Sequence, residues 1–159
     1  MRLSIVAVGR LKDGPERELY LKYAKRIDDT GRNVALGPVK LTEIAEARQA
    51  SAAQRRADEA QRLAVAADAD FVVLLDEGGT ALGSEAFARL LATRRDEGRR
   101  TTAFLIGGPD GHGGAARAKA QLVLSLGPMT LPHGLARIVL AEQIYRAATI
   151  LSGHPYHRA

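Results

Sequence analysis

The sequence predicts an α/β protein of three layers around a mainly parallel sheet. Three observations carry this. Short β-branched apolar runs alternate with segments of helical periodicity, the order that builds parallel sheets from crossover units. Several of the apolar runs end abruptly at glycine. The chain has 159 residues and no internal repeat or low-complexity linker, which points to a single domain spanning 1–159 with a core of its own.

Leu3 to Val8 is apolar and ends at Gly9, a buried strand. Pro15 and Glu16 open a helix, proline in the first turn and an acid near the positive end of the dipole. Leu19, Tyr20, Tyr23 and Ile27 give it an apolar face, and Thr30 to Asn33 is a turn. Val34 to Leu41 reads as a second strand, bent or broken at Gly37-Pro38. Residues 43–67 are rich in strong helix formers, as one helix or two pieces, with a narrow apolar face at Ala57, Ala60, Leu63, Ala64 and Ala67. Phe71 to Leu75 is a strand closed by Asp76-Glu77-Gly78-Gly79. Ser84 is the expected cap of a helix to about Arg95. Thr101 to Ile106 is a strand running into Gly107-Gly108-Pro109-Asp110-Gly111. A short helix covers about 115–120, a strand covers Leu122 to Leu126, and a last helix covers about 134–152.

Composition excludes several chemistries. With no cysteine there is no disulfide framework, thiolate nucleophile or zinc–thiolate site. The first apolar run is too short for a signal core or a membrane span, so a soluble, cytoplasmic protein is expected. The net charge of +5 is unevenly placed. Residues 1–110 hold 18 Lys and Arg against 17 Asp and Glu. Residues 111–159 hold Arg117, Lys119, Arg137, Arg146 and Arg158 against Glu142 alone, with all four histidines. Such a basic, nearly acid-free segment suits phosphate, although a solvated basic surface has the same composition.

Ligands of open α/β sheets sit beyond the carboxyl ends of the strands. Three loops there stand out: 75–79, 106–111 and 126–133. Glycine lets bare backbone approach a ligand, and three such loops together outweigh the tight turn that one of them alone would be. Gly111-His112-Gly113-Gly114-Ala115-Ala116 fits G-x-G-x-x-A, but the acid needed some 20 residues on is missing, so dinucleotide binding is rejected. There is no P-loop and no G-x-S-x-G. His133, His154 and His157 lack nearby carboxylates, and Pro155 breaks any helix between the last two, so no metal is expected. The tail His154-Pro155-Tyr156-His157-Arg158 combines rings that stack on bases with a guanidinium that binds phosphate. The reading as a frayed terminus stands beside it.

Taken together, Ala7-Val8-Gly9, Leu74-Leu75-Asp76, Ile106 to Gly111, Met129 to His133, Ala141 to Ala147 and His154 to Arg158 resemble the RlmH family, SPOUT-class 23S rRNA (pseudouridine-N3)-methyltransferases. The resemblance covers essentially the whole chain in order and spacing. Gly127-Pro128 and the alanine-rich segment 45–69 depart from the family pattern. It implies a C-terminal trefoil knot (the α/β knot), which sequence rules alone would argue against because true knots are rare. It implies S-adenosyl-L-methionine as cofactor, held by Leu75, Gly108, Gly127, Pro128, Met129, Thr130, Leu131 and Pro132. It further implies a homodimer sharing its substrate site, and as substrate a pseudouridine of 23S rRNA in the assembled ribosome. His133, Tyr156, His157 and Arg158 are the candidate catalytic residues. Histidine is the natural acceptor for the N3 proton, and arginine would steady the oxyanion or hold phosphate. Glu142 and Arg146, four apart on the last helix, read as a structural pair or dimer contact. A non-catalytic ribosome-binding or assembly factor on the same fold is the alternative from another class. A nucleotide-binding regulator is disfavoured by the missing phosphate motifs.

Overall fold

In the computed structural model, which describes residues 1–157, five parallel strands form one sheet in the order β2-β1-β4-β3-β5. The strands are β1 Arg2–Val8, β2 Val39–Ile44, β3 Phe71–Ala81, β4 Thr101–Ile106 and β5 Leu122–Ser125. The helices are α1 Pro15–Gly31, α2 Ala52–Ala66, α3 Ser84–Asp96, α4 Gly114–Lys119 and α5 His133–Ser152, with a 3-10 turn at Arg32–Val34.

The central strands are apolar throughout because both of their faces are covered, as a parallel sheet requires. Ile5, Ala7, Val73, Leu75, Phe104 and Ile106 join the cluster that holds α1, α3 and α5. Val6, Val8, Val72, Leu74, Ala103 and Leu105 join the cluster under α2 and α4. Each fully buried Leu, Ile or Phe stabilises by about 1.5–3 kcal/mol. The α5 helix is apolar on nearly every side, and it is the helix enclosed between α1, α3 and the sheet.

Four expectations need correction. The second strand starts at Val39, after a 3-10 turn, a left-handed Ala35 and a cis Gly37–Pro38 bond, and it continues to Ile44 in register with β1. The helix of 43–67 is confined to Ala52–Ala66, because Thr42 and Ile44 still belong to the sheet and Ser51 caps the helix by accepting from Gln54 N at 3.1 Å. The β3 strand does not stop at Leu75: residues 76–79 bulge out, and Thr80 rejoins β5 opposite the same Leu124 that Leu75 faces. Gly79 is required there, since a Cβ would lie 2.8 Å from the β5 backbone. Ser84 is the first helical residue of α3, not its cap, and its hydroxyl donates to Gln143 Oε1 at 2.8 Å.

One buried cation locks α5 to β1. The Arg137 side chain is 0% exposed and donates to Glu43 Oε1 at 2.6 Å and to the Val8 and Gly9 carbonyls at 2.8 Å each. Burial holds its pKa below the ordinary guanidinium value, with Glu43 pulling the other way. This fixes the first turns of α5, which carry His133 and Ala136 of the cleft described next, against the carboxyl end of β1.

Candidate functional site

The bulge within β3 and the loops that follow β4 and β5 line a cleft of about 980 Å³. Its walls include Leu75, Ile106, Leu126, Leu131 and Ala136, with the backbone of Gly107, Gly108 and Gly127 between them. Asp76, Glu77 and Asp110 also line it, so it is apolar with carboxylates. A smaller cavity of about 360 Å³, between the end of β3, α3 and α5, shares Leu126 and Gly127 with it.

Polar ties hold the three loops to one another or to the neighbouring helices α2 and α4. The Arg117 guanidinium of α4 donates to Asp76 Oδ2 at 2.6 Å. Thr130 Oγ1 donates to Glu77 Oε2 at 2.8 Å. Ser125 Oγ lies 3.0 Å from both the Glu77 and Gly127 carbonyls and accepts from Gly127 N at 3.1 Å. Arg55 of α2 binds both oxygens of Asp110, at 2.6 and 3.1 Å, and these bonds hold the Asp110 carboxyl below its ordinary range. Gly108 has no room for a side chain: a Cβ would meet the buried Glu59 carboxylate at 2.8 Å and Val8 at 2.9 Å. Gly127 has a different reason, its φ of +131°, with open space where a Cβ would point.

Of the residues expected to hold a cofactor, Leu75, Gly108, Gly127, Met129, Thr130, Leu131 and Pro132 line the cleft. Pro128 is exposed and is not among the lining residues. His133 lines it too, at the first residue of α5, with Nε2 so close to Gly9 that a Cβ there would lie 2.8 Å away. The tail is elsewhere. Tyr156 and His157 follow the far end of α5, whose 20 residues span about 30 Å. The structure therefore does not bring His133 together with the tail within one chain. Arg158 lies outside the described residues.

The tail residues are held by α5. Tyr156 packs its ring 4.6 Å from that of Tyr145, lies under the Arg146 guanidinium, and donates its hydroxyl to Glu142 Oε1 at 3.1 Å. Burial, then hydrogen bonds with Tyr23 and Glu142, pushes its phenol up to about 12, so it stays protonated at neutral pH. Glu142 also accepts from Arg146 at 2.6 and 3.0 Å, the structural pair that the i, i+4 spacing predicts. His157 Nε2 is 3.9 Å from Glu85.

Sequence reasoning missed His112, Arg55, Arg117 and Glu59, whose partners are far away in the chain. It also overvalued the charge of the last third. Arg117, Arg137 and Arg146 face Asp76, Glu43 and Glu142, so among the described residues only Lys119 of that group lacks an ion pair. Among the described residues, no cluster of three or more His, Asp or Glu could hold a metal ion, and no helix is long and apolar enough to cross a membrane.

Comparison with known proteins points to one family. A family model described as "Predicted SPOUT methyltransferase" matches residues 1–157. Relatives named ribosomal RNA large subunit methyltransferase H are similar over their full length and that of this chain. The one from Brucella anthropi is 53% identical over 160 residues, that from Sinorhizobium medicae 54% over 160, and that from Brucella ovis 50% over 169.

Proposed function

The chain belongs to the SPOUT methyltransferases and, within them, to the RlmH family; on that premise we propose that it methylates N3 of a pseudouridine in 23S rRNA of the assembled ribosome, in the cytoplasm, with S-adenosylmethionine as donor. The cleft formed by three loops carries this reading. When bound, S-adenosylmethionine supplies a methyl group on a positively charged sulfonium. The residues present suit it. Leu75, Ile106, Leu126 and Leu131 offer apolar walls to a purine, and glycine backbone offers close polar contacts. Asp76, Glu77 and Asp110 provide negative potential, while Arg117, the one Lys or Arg in the lining, is already paired with Asp76. A triphosphate would find repulsion there, which disfavours a nucleotide.

The chain's task in the reaction is to place the base nitrogen in line with the methyl group at near-attack distance. Leu75, Gly108 and residues 127–132 would hold the donor. His133, at the cleft and next to Gly9, would accept or relay the N3 proton, since imidazole titrates nearest neutral pH. Tyr156, protonated and bonded to Glu142, would anchor the tail, and His157 and Arg158 would meet the RNA. The length of α5 separates these two sets, which supports a homodimer whose substrate site combines the cleft of one protomer with the tail of the other. We further propose one domain over 1–159 with the α/β knot. In support, β5 lies at a sheet edge while α5 returns to pack between α1 and α3.

Purified protein should transfer labelled methyl groups from S-adenosylmethionine to 23S rRNA in ribosomes. Donor binding without transfer to any ribosomal particle would favour a ribosome-binding factor instead. Removing residues 154–159 should abolish transfer and leave donor binding intact. Sedimentation should report a dimer.

A further inference from the structure

His112 is not among the residues assigned above, yet it joins two walls of the cleft. It follows the 106–111 loop, and its Nε2 is 2.6 Å from the Leu75 carbonyl oxygen on the neighbouring strand β3. A carbonyl only accepts, so Nε2 carries a proton and donates. The ring's other nitrogen, Nδ1, is buried without any partner. It lies against Gly107, where a Cβ would come within 2.9 Å of it and 2.8 Å of Cε1. The imidazole thus fills the place of the side chain that Gly107 lacks.

We propose that His112 is a positioning residue of the donor cleft: its neutral ring braces the Leu75 carbonyl against Gly107, and protonation releases both walls and weakens donor binding. This rests on the donor reading given above. The chemistry is one of room and partners. A proton on Nδ1 would be an N–H with no acceptor, pressed on the Gly107 backbone, and a buried unsatisfied donor is unfavourable, more so when it carries charge. The ring can accept that proton only by leaving its place, which frees the Leu75 carbonyl and unsupports Gly107. The charged neighbours that act on it are Asp76, which favours the imidazolium, and Arg117, which opposes it. They are ion-paired to each other at 2.6 Å, so their effects largely offset. Burial is the largest influence and keeps the His112 pKa below the ordinary imidazole value, with the hydrogen bond to Leu75 acting against it.

The test is calorimetric titration with S-adenosylhomocysteine from about pH 7.5 down to about pH 5, the range in which histidine changes charge. The unmodified protein should bind at least about fivefold more weakly at the acid end. His112→Gln keeps an N–H for Leu75 but does not titrate, so its affinity should stay within about twofold over that range. His112→Leu removes the donor and should bind about fivefold more weakly at every pH, the value of one hydrogen bond. If His112→Gln follows the same pH curve as the unmodified protein, or His112→Leu binds as well as it does at the neutral end, the inference fails. Should His112→Leu not fold, as its thermal transition would reveal, His112→Gln alone decides. Absence of binding by the unmodified protein at any pH would instead overturn the donor reading, and this inference with it.

Discussion

Replacing Arg137 with alanine should be among the most damaging single changes in this chain, and its size can be worked from the contacts. The guanidinium satisfies the Val8 and Gly9 carbonyls and the Glu43 carboxylate, and its side chain is 0% exposed. Breaking a buried pair by removing one partner costs about 3–5 kcal/mol. Glu43 is 22% exposed, so water can reach it and the lower half of that range applies. Each carbonyl left buried without a donor adds about 1–3 kcal/mol, less than additively. A total of about 4–6 kcal/mol follows, a large part of the roughly 5–15 kcal/mol of a typical domain. At about 2–4 °C per kcal/mol, the thermal midpoint should fall by about 10–20 °C. Arg137→Lys keeps the charge but not the planar fork and should fall between. Calorimetry or circular dichroism reads the midpoint. A loss under about 1 kcal/mol for Arg137→Ala would refute the view that this side chain locks α5 to β1.

Two further outcomes follow from the same contacts. Glu142→Ala takes from Tyr156 and Arg146 their shared acceptor, so the tail should detach; methyl transfer to ribosomes should fall about tenfold or more while donor affinity, read by calorimetry, changes less than about twofold. Gly127→Ala meets no steric obstacle, but a φ of +131° is strained for alanine by about 1–2 kcal/mol, so donor affinity should drop about tenfold with little change in the thermal midpoint; an unchanged affinity would show that the 127 backbone does not shape the cleft.

Local pattern made the core of the fold readable and long-range pairing limited the rest. Glycine, proline and polar turns at their flanks mark the ends of Thr101 to Ile106 to the residue and those of α5 to within one. Val34 and Leu36 look like strand residues, and only pairing with β1 selects Val39–Ile44 instead. The continuation of β3 past Gly79 is equally invisible locally, since it exists through contact with β5. The site divides the same way. Glycine-rich strand ends exposed all three loops. The ties that fix them, His112 to Leu75, Arg117 to Asp76 and Arg55 to Asp110, join residues 37 to 55 positions apart and leave no periodic trace. Charge counting misled for the same reason: the acids that neutralise Arg117 and Arg137 lie in the first two-thirds of the chain.

The α5 helix has a consequence for how the protein works as a population of molecules. It holds His133 at one end and the tail at the other, as a rod holds its tips, so on the proposed reading a lone chain does not join the two. In the proposed dimer, catalytic competence is then a property of concentration: dilution below the dissociation constant should extinguish turnover while each separated chain still binds donor. Two crippled proteins, one altered at His133 and one lacking its tail, should regain activity on mixing, because each mixed pair assembles one intact site from the halves its members still possess.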